Sequence, residues 1–520
     1  MSLYAIGIGG TGAKCLEALT QATAVGLLNE QEGASNTAEQ TIRTLFVDAD
    51  EANGSLERAR ASITKYQDCR EVFEQDRPED PRSQPWMHAQ LKTLGLWSPL
   101  GSVTTTKNLG ALFGYDSLKQ NSPELGSLVD VLFTREEMEA NLDVGFRGRP
   151  AIGSAVMSRI DLDNTDEEVW RQLIERVRID AGNGKYPKIF LFGSIFGGTG
   201  ASGIPTIGRL LHEKLIAERL RNNVSIASAF ILPYFSFTPE AGLAKDEVYA
   251  RSDQFLLNTE AALRYYLTQA QPFNTVYVLG DHNTTEVEFS LGKLSQRNRP
   301  HFIELYAAIA AKHFLSTSSD GEGTQVALVS RQNPNYLTWS DLPDSPQVKT
   351  VIGSATRFAY VWLANILPEL NQAKEMGIRR FQSGAPWFVK FFKPASSAFG
   401  RMLNASGEEL PDFNDPKEQA ALSTLTEWCL DYLRWVCDIH QCGDETIALF
   451  SAGALSRATG TDVIPDELSS IIMGVEADRS SRASDSIPAI KRQLDDPDLA
   501  ERYGKGVVGL SKALYALCRV

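Results

Sequence analysis

Cysteine is scarce in this chain: there are six in 520 residues, and no C-x-x-C pair recurs. That excludes a zinc ribbon and leaves most of the six reading as reduced, structural side chains. The one tempting group, Cys437, His440 and Cys442 in CDIHQC at the end of a predicted helix, lacks a standard ligand spacing and reads as packing. Positive charge is also short, with a net charge of −14. A surface built to track a phosphate backbone is therefore not expected, nor is nucleic acid as the main partner. No apolar run approaches the length that spans a bilayer, and MSLYAIGIGG lacks a basic leader, so the expectation is no membrane span and a cytoplasmic location. Short-period repeats and low-complexity tracts longer than a loop are missing too.

What is present is globular in character. Hydrophobic residues make up 43% and charged residues 22%, enough for sizeable cores, and the length predicts two or three domains. YAIGIG reads as a buried strand, Ala13 to Leu28 as a helix, QEGASNTAEQ as a loop and TIRTLFVDAD as a second strand. CREVFEQDRPEDPRSQPW, from Cys69 to Trp86, reads as an exposed excursion. A helix is predicted around Glu167 to Arg178, then the strand KIFLFGS, then a helix with Ile207, Leu211 and Leu215 on one face. VSIASAFILP and TVYVLGD are further apolar runs of strand length. Such runs suit a parallel sheet covered on both faces, so the fold class is α/β with a doubly wound, mostly parallel sheet. From about Pro300 the pattern turns helical, beginning with HFIELYAAIAAKHFL; in the later part only WFVKFF and ETIALF look strand-like.

Two glycine turns carry the chemistry. The first, GIGGTG, fails as a Walker loop because Gly12 is followed by Ala13 and only then by Lys14. It fits G-x-G-x-x-G formally through Gly7, Gly9 and Gly12, yet the acidic residue expected about 20 residues on is missing. The second, in FLFGSIFGGTGASG, places Gly197, Gly198, Thr199 and Gly200 between another strand and another helix. A dinucleotide enzyme has no need of it. Two such turns suggest one nucleotide held from two sides by backbone N–H groups and helix N-termini.

With that second turn the sequence resembles the tubulin and FtsZ superfamily, whose signature is GGGTG followed by a small residue and usually glycine. FGGTGAS keeps Gly197 to Gly200, with Phe196 in place of the first glycine and Ser202 in place of the last. The resemblance implies that Gly9, Gly10, Thr11 and Gly12 meet phosphate from the other side. VDAD then places Asp50 at the family's acidic position near the phosphates and a magnesium ion. GFRGRPAIG resembles the family's third phosphate loop, with Gly148 and Arg149, and IASAFILPYFSF its strand ending in proline and an aromatic pair. The segment 300–318 would be the central helix between a nucleotide domain (1–299) and a C-terminal domain (319–520). There Phe302 would stack on a purine and Asn298 would bond its edge; alternatively Phe302, Leu305 and Ile309 form a core stripe. NYLTWSDLPD resembles the family's hydrolytic loop, with Asp341 in the acidic place, Thr338 where a second acid is usual and Asn335 one residue from the expected position. Asp341 reads equally well as a cap of the helix after Pro343.

The C-terminal half departs from the family and looks like that of the divergent bacterial tubulin-like proteins. GVEADRSSRASDSIPAIKRQLDDPDLAERYGKG reads as a mobile loop, a partner-binding segment or a solvated polar face. The resemblance implies a GTPase that binds GTP or GDP with Mg2+ and assembles head to tail, its hydrolytic site completed across the subunit contact. A scaffold that binds GTP with little hydrolysis and a dinucleotide enzyme using Gly7, Gly9 and Gly12 are the alternatives.

Overall fold

The computed structural model describes residues 2–29, 40–74, 86–101, 107–163, 167–238, 250–269, 272–290, 292–317, 323–331, 333, 335–394, 410–442, 447–451, 468–473 and 486–520, and every structural statement concerns those residues. Seven parallel strands form the sheet: β1 (Ser2–Ile8), β2 (Thr41–Val47), β3 (Gln90–Trp97), β4 (Lys188–Ser194), β5 (Ser225–Ile231), β7 (Thr275–Leu279) and β9 (Gln325–Val329). Their order is β3-β2-β1-β4-β5-β7-β9, while β6 (Phe235–Ser236) and β8 (Thr285–Glu286) pair as a separate two-stranded ribbon. The chain winds outward from β1 to one edge, returns to β4 beside β1, and winds to the other edge. Between β1 and β4 the direction of winding reverses, and the carboxyl ends of these two strands flank the crevice where open α/β sheets hold ligands.

The strands are continuous apolar runs because helices cover both faces. In β1, Leu3 and Ala5 enter one core while Tyr4, Ile6 and Ile8 enter the other, and every residue is buried. The first face carries α1 (Gly9–Ala24) and α2 (Gly54–Val72). Between β3 and β4 come four short helices, α3 (Leu109–Phe113), α4 (Tyr115–Asn121), α5 (Pro123–Leu132) and α6 (Arg135–Glu139), then α7 (Pro150–Met157) and α8 (Glu168–Gly182). The second face is covered by α7, α8, α9 (Gly198–Ala217) and α10 (Phe255–Thr268). Ile207, Leu211 and Leu215 of α9 are buried against it, as their spacing predicts. The central helix α11 (Phe302–Ser316) lies on the first face, and its Phe302, Leu305 and Ile309 form the core stripe.

The rest of the chain is helical. It comprises α12 (Ser345–Val361), a π turn (Trp362–Ile366), α13 (Leu367–Met376), α14 (Ile378–Phe381), α15 (Phe388–Phe391), α16 (Pro416–Gln441), α17 (Ile487–Leu494), α18 (Pro497–Tyr503) and α19 (Gly506–Leu517). These helices share one continuous hydrophobic core with α1, α2 and α11. Trp86 stacks on Tyr515 with centroids 4.6 Å apart and meets Phe358 at 4.9 Å. The expected division after residue 299 does not coincide with an edge of the sheet, since β9 follows α11 and pairs with β7.

Several local expectations change. WFVKFF is helical: Phe388, Phe391 and Phe392 are buried at i, i+3 and i+4, a helical spacing hidden in an aromatic run. In ETIALF, Ile447 and Phe450 make only isolated bridges, to Leu337 and Ile472, and residues 443–446 lie outside the described residues. The excursion from Cys69 to Trp86 is anchored at both ends, with Cys69, Phe73 and Trp86 buried, while residues 75–85 fall outside the description. So do residues 30–39, most of the QEGASNTAEQ loop. In the long polar segment near the C terminus, residues 474–485 lie outside the described residues, but α17 buries Ile487, Ile490 and Leu494. Its polar outer face masked an amphipathic helix. No described helix is long and apolar enough to cross a membrane.

The first residue of β4 also fixes the far end of α11. The Lys188 ammonium is buried and donates to the carbonyls of Phe314 at 2.6 Å, Leu315 at 3.0 Å and Thr317 at 2.6 Å. A cation there complements the helix dipole and satisfies the last turn. Lys188→Met should cost about 1–3 kcal/mol by orphaning these acceptors, read as a lower urea midpoint; an unchanged midpoint would show that the cap contributes nothing.

Candidate functional site

β1 runs directly into Gly9, whose φ of 72° suits glycine, and α1 begins there. β4 ends at Ser194, and α9 begins at Gly198. The N-cap positions of both helices, Ile8 and Gly197, provide no side-chain cap. Their first N–H groups and positive dipole ends are available to an anion. The turns nearly touch, since a Cβ added at Gly9 would lie 3.1 Å from Thr199 Cβ. Glycine is also required beneath them. A Cβ at Gly200 would stand 2.3 Å from Ser194 O, and one at Gly12 would stand 2.6 Å from Phe192 O, so only glycine lets each helix start hard against a strand.

Together the turns form the floor of a cleft whose empty space, including the part open to solvent, is about 1000 Å³. Gly9, Gly10, Thr11, Asp50, Gly148, Gly197, Gly198, Thr199, Gly200 and Asn298 all line it, although they come from five separate stretches of sequence. The third loop is held in place by Asn258 of α10, which donates to Gly148 O at 3.2 Å and to Phe196 O at 3.0 Å and so ties it to the second turn. Phe196 keeps the second turn intact without glycine because its ring leaves the loop for an aromatic wall, packing on Phe255 at 4.7 Å and Phe235 at 5.5 Å. Asn258 carries no motif, and its role is visible only once α10 is placed.

Three expected cleft residues stand elsewhere, and Asp341, expected to reach a neighbouring copy's nucleotide, lies outside its own chain's cleft. Gly12 lies beneath the cleft. Arg149 does not line the cleft, and its guanidinium is 3.5 Å from Glu137. Phe302 is fully buried between His301 and Tyr306 and does not face the cleft, so the position carried over for base stacking is a core position here. Asp341 ends a short 3-10 turn, Trp339–Asp341, in which it accepts from Thr338 N–H at 2.7 Å and Thr338 Oγ1 at 2.8 Å. It caps that turn rather than α12, whose N-cap position is Asp344.

The electrostatics centre on two groups. Lys14, one turn into α1, lines the cleft but is buried, with its ammonium 2.5 Å from Glu304 of α11 and 3.2 Å from Tyr234 Oη. Tyr234 in turn donates to Glu304 at 2.7 Å, and burial, reinforced by Glu304, holds its hydroxyl well above the usual range and protonated. Burial pushes His301, beside this cluster, well below its ordinary value; neutral, its Nδ1 accepts from Ile303 N–H. Asp48 and Asp50 form the acidic wall. Burial pushes Asp48 up to about 7; the Asp50 N–H opposes the rise and the Asp50 charge adds to it. Asp48 Oδ2 has no hydrogen-bond partner among the described residues. An orphaned carboxylate oxygen at the cleft fits a hard cation. Among the described residues there is no group of three or more His, Cys, Asp or Glu able to hold a metal, so such a cation needs further oxygens from a ligand.

Comparison with protein-family models and with curated proteins finds no match. The chemistry of the cleft thus rests on its own residues. Its buried ion pair gives a direct check. Glu304→Ala should cost about 3–5 kcal/mol in urea unfolding by stranding Lys14, and Lys14→Met with Glu304→Gln should recover much of the loss. Additive losses would mean that the two groups do not act as a pair.

Proposed function

We propose that the chain is a tubulin/FtsZ-like GTP-binding protein, a GTPase that assembles head to tail into nucleotide-dependent filaments or oligomers. One observation carries the nucleotide site: two glycine turns, at the ends of neighbouring strands β1 and β4 where the winding reverses, face a single cleft. In this reading the amides and hydroxyls of Gly9 to Thr11 hold phosphate from one side, and those of Gly197 to Gly200 from the other. The Gly148 loop closes the third side. Asn298 and Gln296 offer amides for a base edge, and the preference for guanine rests on the sequence resemblance. The acidic wall would hold Mg2+, which neutralises phosphate charge when bound. A dinucleotide enzyme would leave the second turn without a ligand.

Hydrolysis follows from the same resemblance. Asp341 lies outside its own chain's cleft, so a water-orienting role requires a second copy seated head to tail. The helical C-terminal half would supply part of that contact or a surface for another protein. A second reading, a nucleotide-gated scaffold with little turnover, is favoured by the engagement of the Asp341 carboxylate with Thr338.

Thr199→Glu tests the binding site. A carboxylate in the first turn of α9 suits the helix dipole, so the fold should keep its melting temperature. The same charge repels phosphate, and GTP and GDP affinity should fall on the order of 100-fold, about 3 kcal/mol. Unchanged affinity in calorimetry would remove the nucleotide reading. Electron microscopy with GTP and with GDP tests assembly, with filaments expected in GTP alone. Asp341→Ala separates the two readings: retained binding with phosphate release abolished supports the GTPase, and wild-type protein that binds GTP without releasing phosphate at high concentration supports the scaffold.

A further inference from the structure

We infer that Asp48, and not Asp50, is the carboxylate that meets the divalent cation, and that Asp50 instead latches a strap across the site. This rests on the nucleotide reading proposed above. The resemblance puts Asp50 in the acidic position, but both of its oxygens are engaged. Oδ2 accepts from Lys293 N–H at 2.6 Å, and Oδ1 accepts from Ala52 N–H at 3.2 Å. Lys293 belongs to a strap, residues 292–298, that crosses the start of α2 just before the central helix. Along it, Ser55 N–H donates to Gln296 O at 3.2 Å, Asn53 Nδ2 to Gln296 Oε1 at 3.1 Å and Arg58 to Asn298 O at 2.8 Å. The strap turns sharply through positive φ at Gly292 (119°) and Lys293 (58°). A non-glycine residue in that region costs conformational energy, which the bond to Asp50 helps to offset.

Asp48 is placed differently. It is 2% exposed and lines the cleft; Oδ1 accepts the Asp50 N–H at 3.2 Å, and Oδ2 has no hydrogen-bond partner among the described residues. Buried carboxylate oxygens are nearly always satisfied, so a buried, unpartnered one on a residue that lines the cleft asks for a ligand. Mg2+ and Mn2+ take carboxylate oxygen, commonly with one or two protein ligands and the rest from water and phosphate. Asp48 alone meets that requirement. Since no group of three His, Cys, Asp or Glu forms a cage among the described residues, the cation is held tightly only with a diphosphate in place.

The test uses full-length protein, Mn2+ as the probe and GDP as the nucleotide. Free Mn2+ is titrated by electron paramagnetic resonance with and without GDP for wild type, Asp48→Asn and Asp50→Asn, and GDP affinity is measured in EDTA. Asp48→Asn should weaken Mn2+ binding to the GDP complex on the order of tenfold or more, while GDP affinity in EDTA does not fall, since the substitution removes a charge that repels phosphate. Asp50→Asn should keep Mn2+ affinity and lower the melting temperature by releasing the strap. Broadening of carboxyl carbon signals by Mn2+ in the wild-type GDP complex needs no folded variant and should be strongest at Asp48. Unchanged Mn2+ affinity in Asp48→Asn, or the loss appearing in Asp50→Asn instead, overturns the assignment while leaving the nucleotide site standing. Wild-type protein that binds no GDP either in EDTA or with Mn2+ present overturns the nucleotide reading and the assignment with it.

Discussion

A buried ammonium and a buried carboxylate set the geometry on which the cleft depends. Lys14 and Glu304 are 4% and 1% exposed, so neither can exchange its partner for water at small cost. Their contact fixes α1, which opens at the first glycine turn, against the N-terminus of α11. Glu304 also closes a capping box with His301, accepting its N–H at 2.5 Å. The far end of α11 is held by Lys188 at the start of β4. The central helix is therefore pinned at both ends to the two strands whose glycine turns form the cleft floor: to β4 directly, and to β1 through α1.

The same ion pair decides what the cleft can use to bind an anion. Lys14 follows the first glycine turn much as a phosphate-binding lysine would, but its charge is matched by Glu304. In the proposed reading, affinity for phosphate would come from backbone N–H groups at the two helix starts, which carry partial charge and no counterion. Further along α1 the polar contacts reach the C-terminal half. Glu17 accepts from Arg58 of α2 and from Arg434 of α16, each at 2.8 Å. Asp431 of α16 accepts from Gln21 of α1 at 2.8 Å and from Ser62 of α2 at 2.6 Å. Buried polar contacts of this kind tolerate little sliding, because any shift strands several charged groups together. The C-terminal helices are thus fastened to the helix that carries the first glycine turn.

Much of the sheet was legible in the sequence because its signals are local. Apolar runs ending in glycine gave β1 and β4, and the following helices repeat at helical spacing. β3 was not anticipated: its outer positions Lys92 and Thr93 are exposed at the sheet edge and break the apolar run. The glycine turns were readable since a backbone approaching another backbone excludes a Cβ. Asn258, Lys14 and the strap were not, because each acts through partners on other elements and has no preferred spacing. Phe302 and Arg149 show the limit of carrying roles over by position. A sequence match transfers a place in the chain, whereas burial against His301 and Tyr306 and the Glu137 carboxylate belong to the environment.

Charge balance constrains what this cleft can hold. Its floor offers helix ends, its lysine is paired with Glu304, and its wall carries Asp48 and Asp50, in a chain with net charge −14. A bare triphosphate would meet two carboxylates at the wall, at a cost that partial charges on amides offset only in part. Asp50 is quieted by the N–H groups of Lys293 and Ala52. Asp48 has one oxygen so matched and one that is not, which makes it the remaining source of repulsion. Asp48 is the residue that would hold a divalent cation, whose charge would offset the repulsion between wall and phosphate. In the proposed reading the protein would supply one carboxylate and the ligand the rest, so cation and nucleotide would stabilise each other in the cleft, and neither would be well matched there alone.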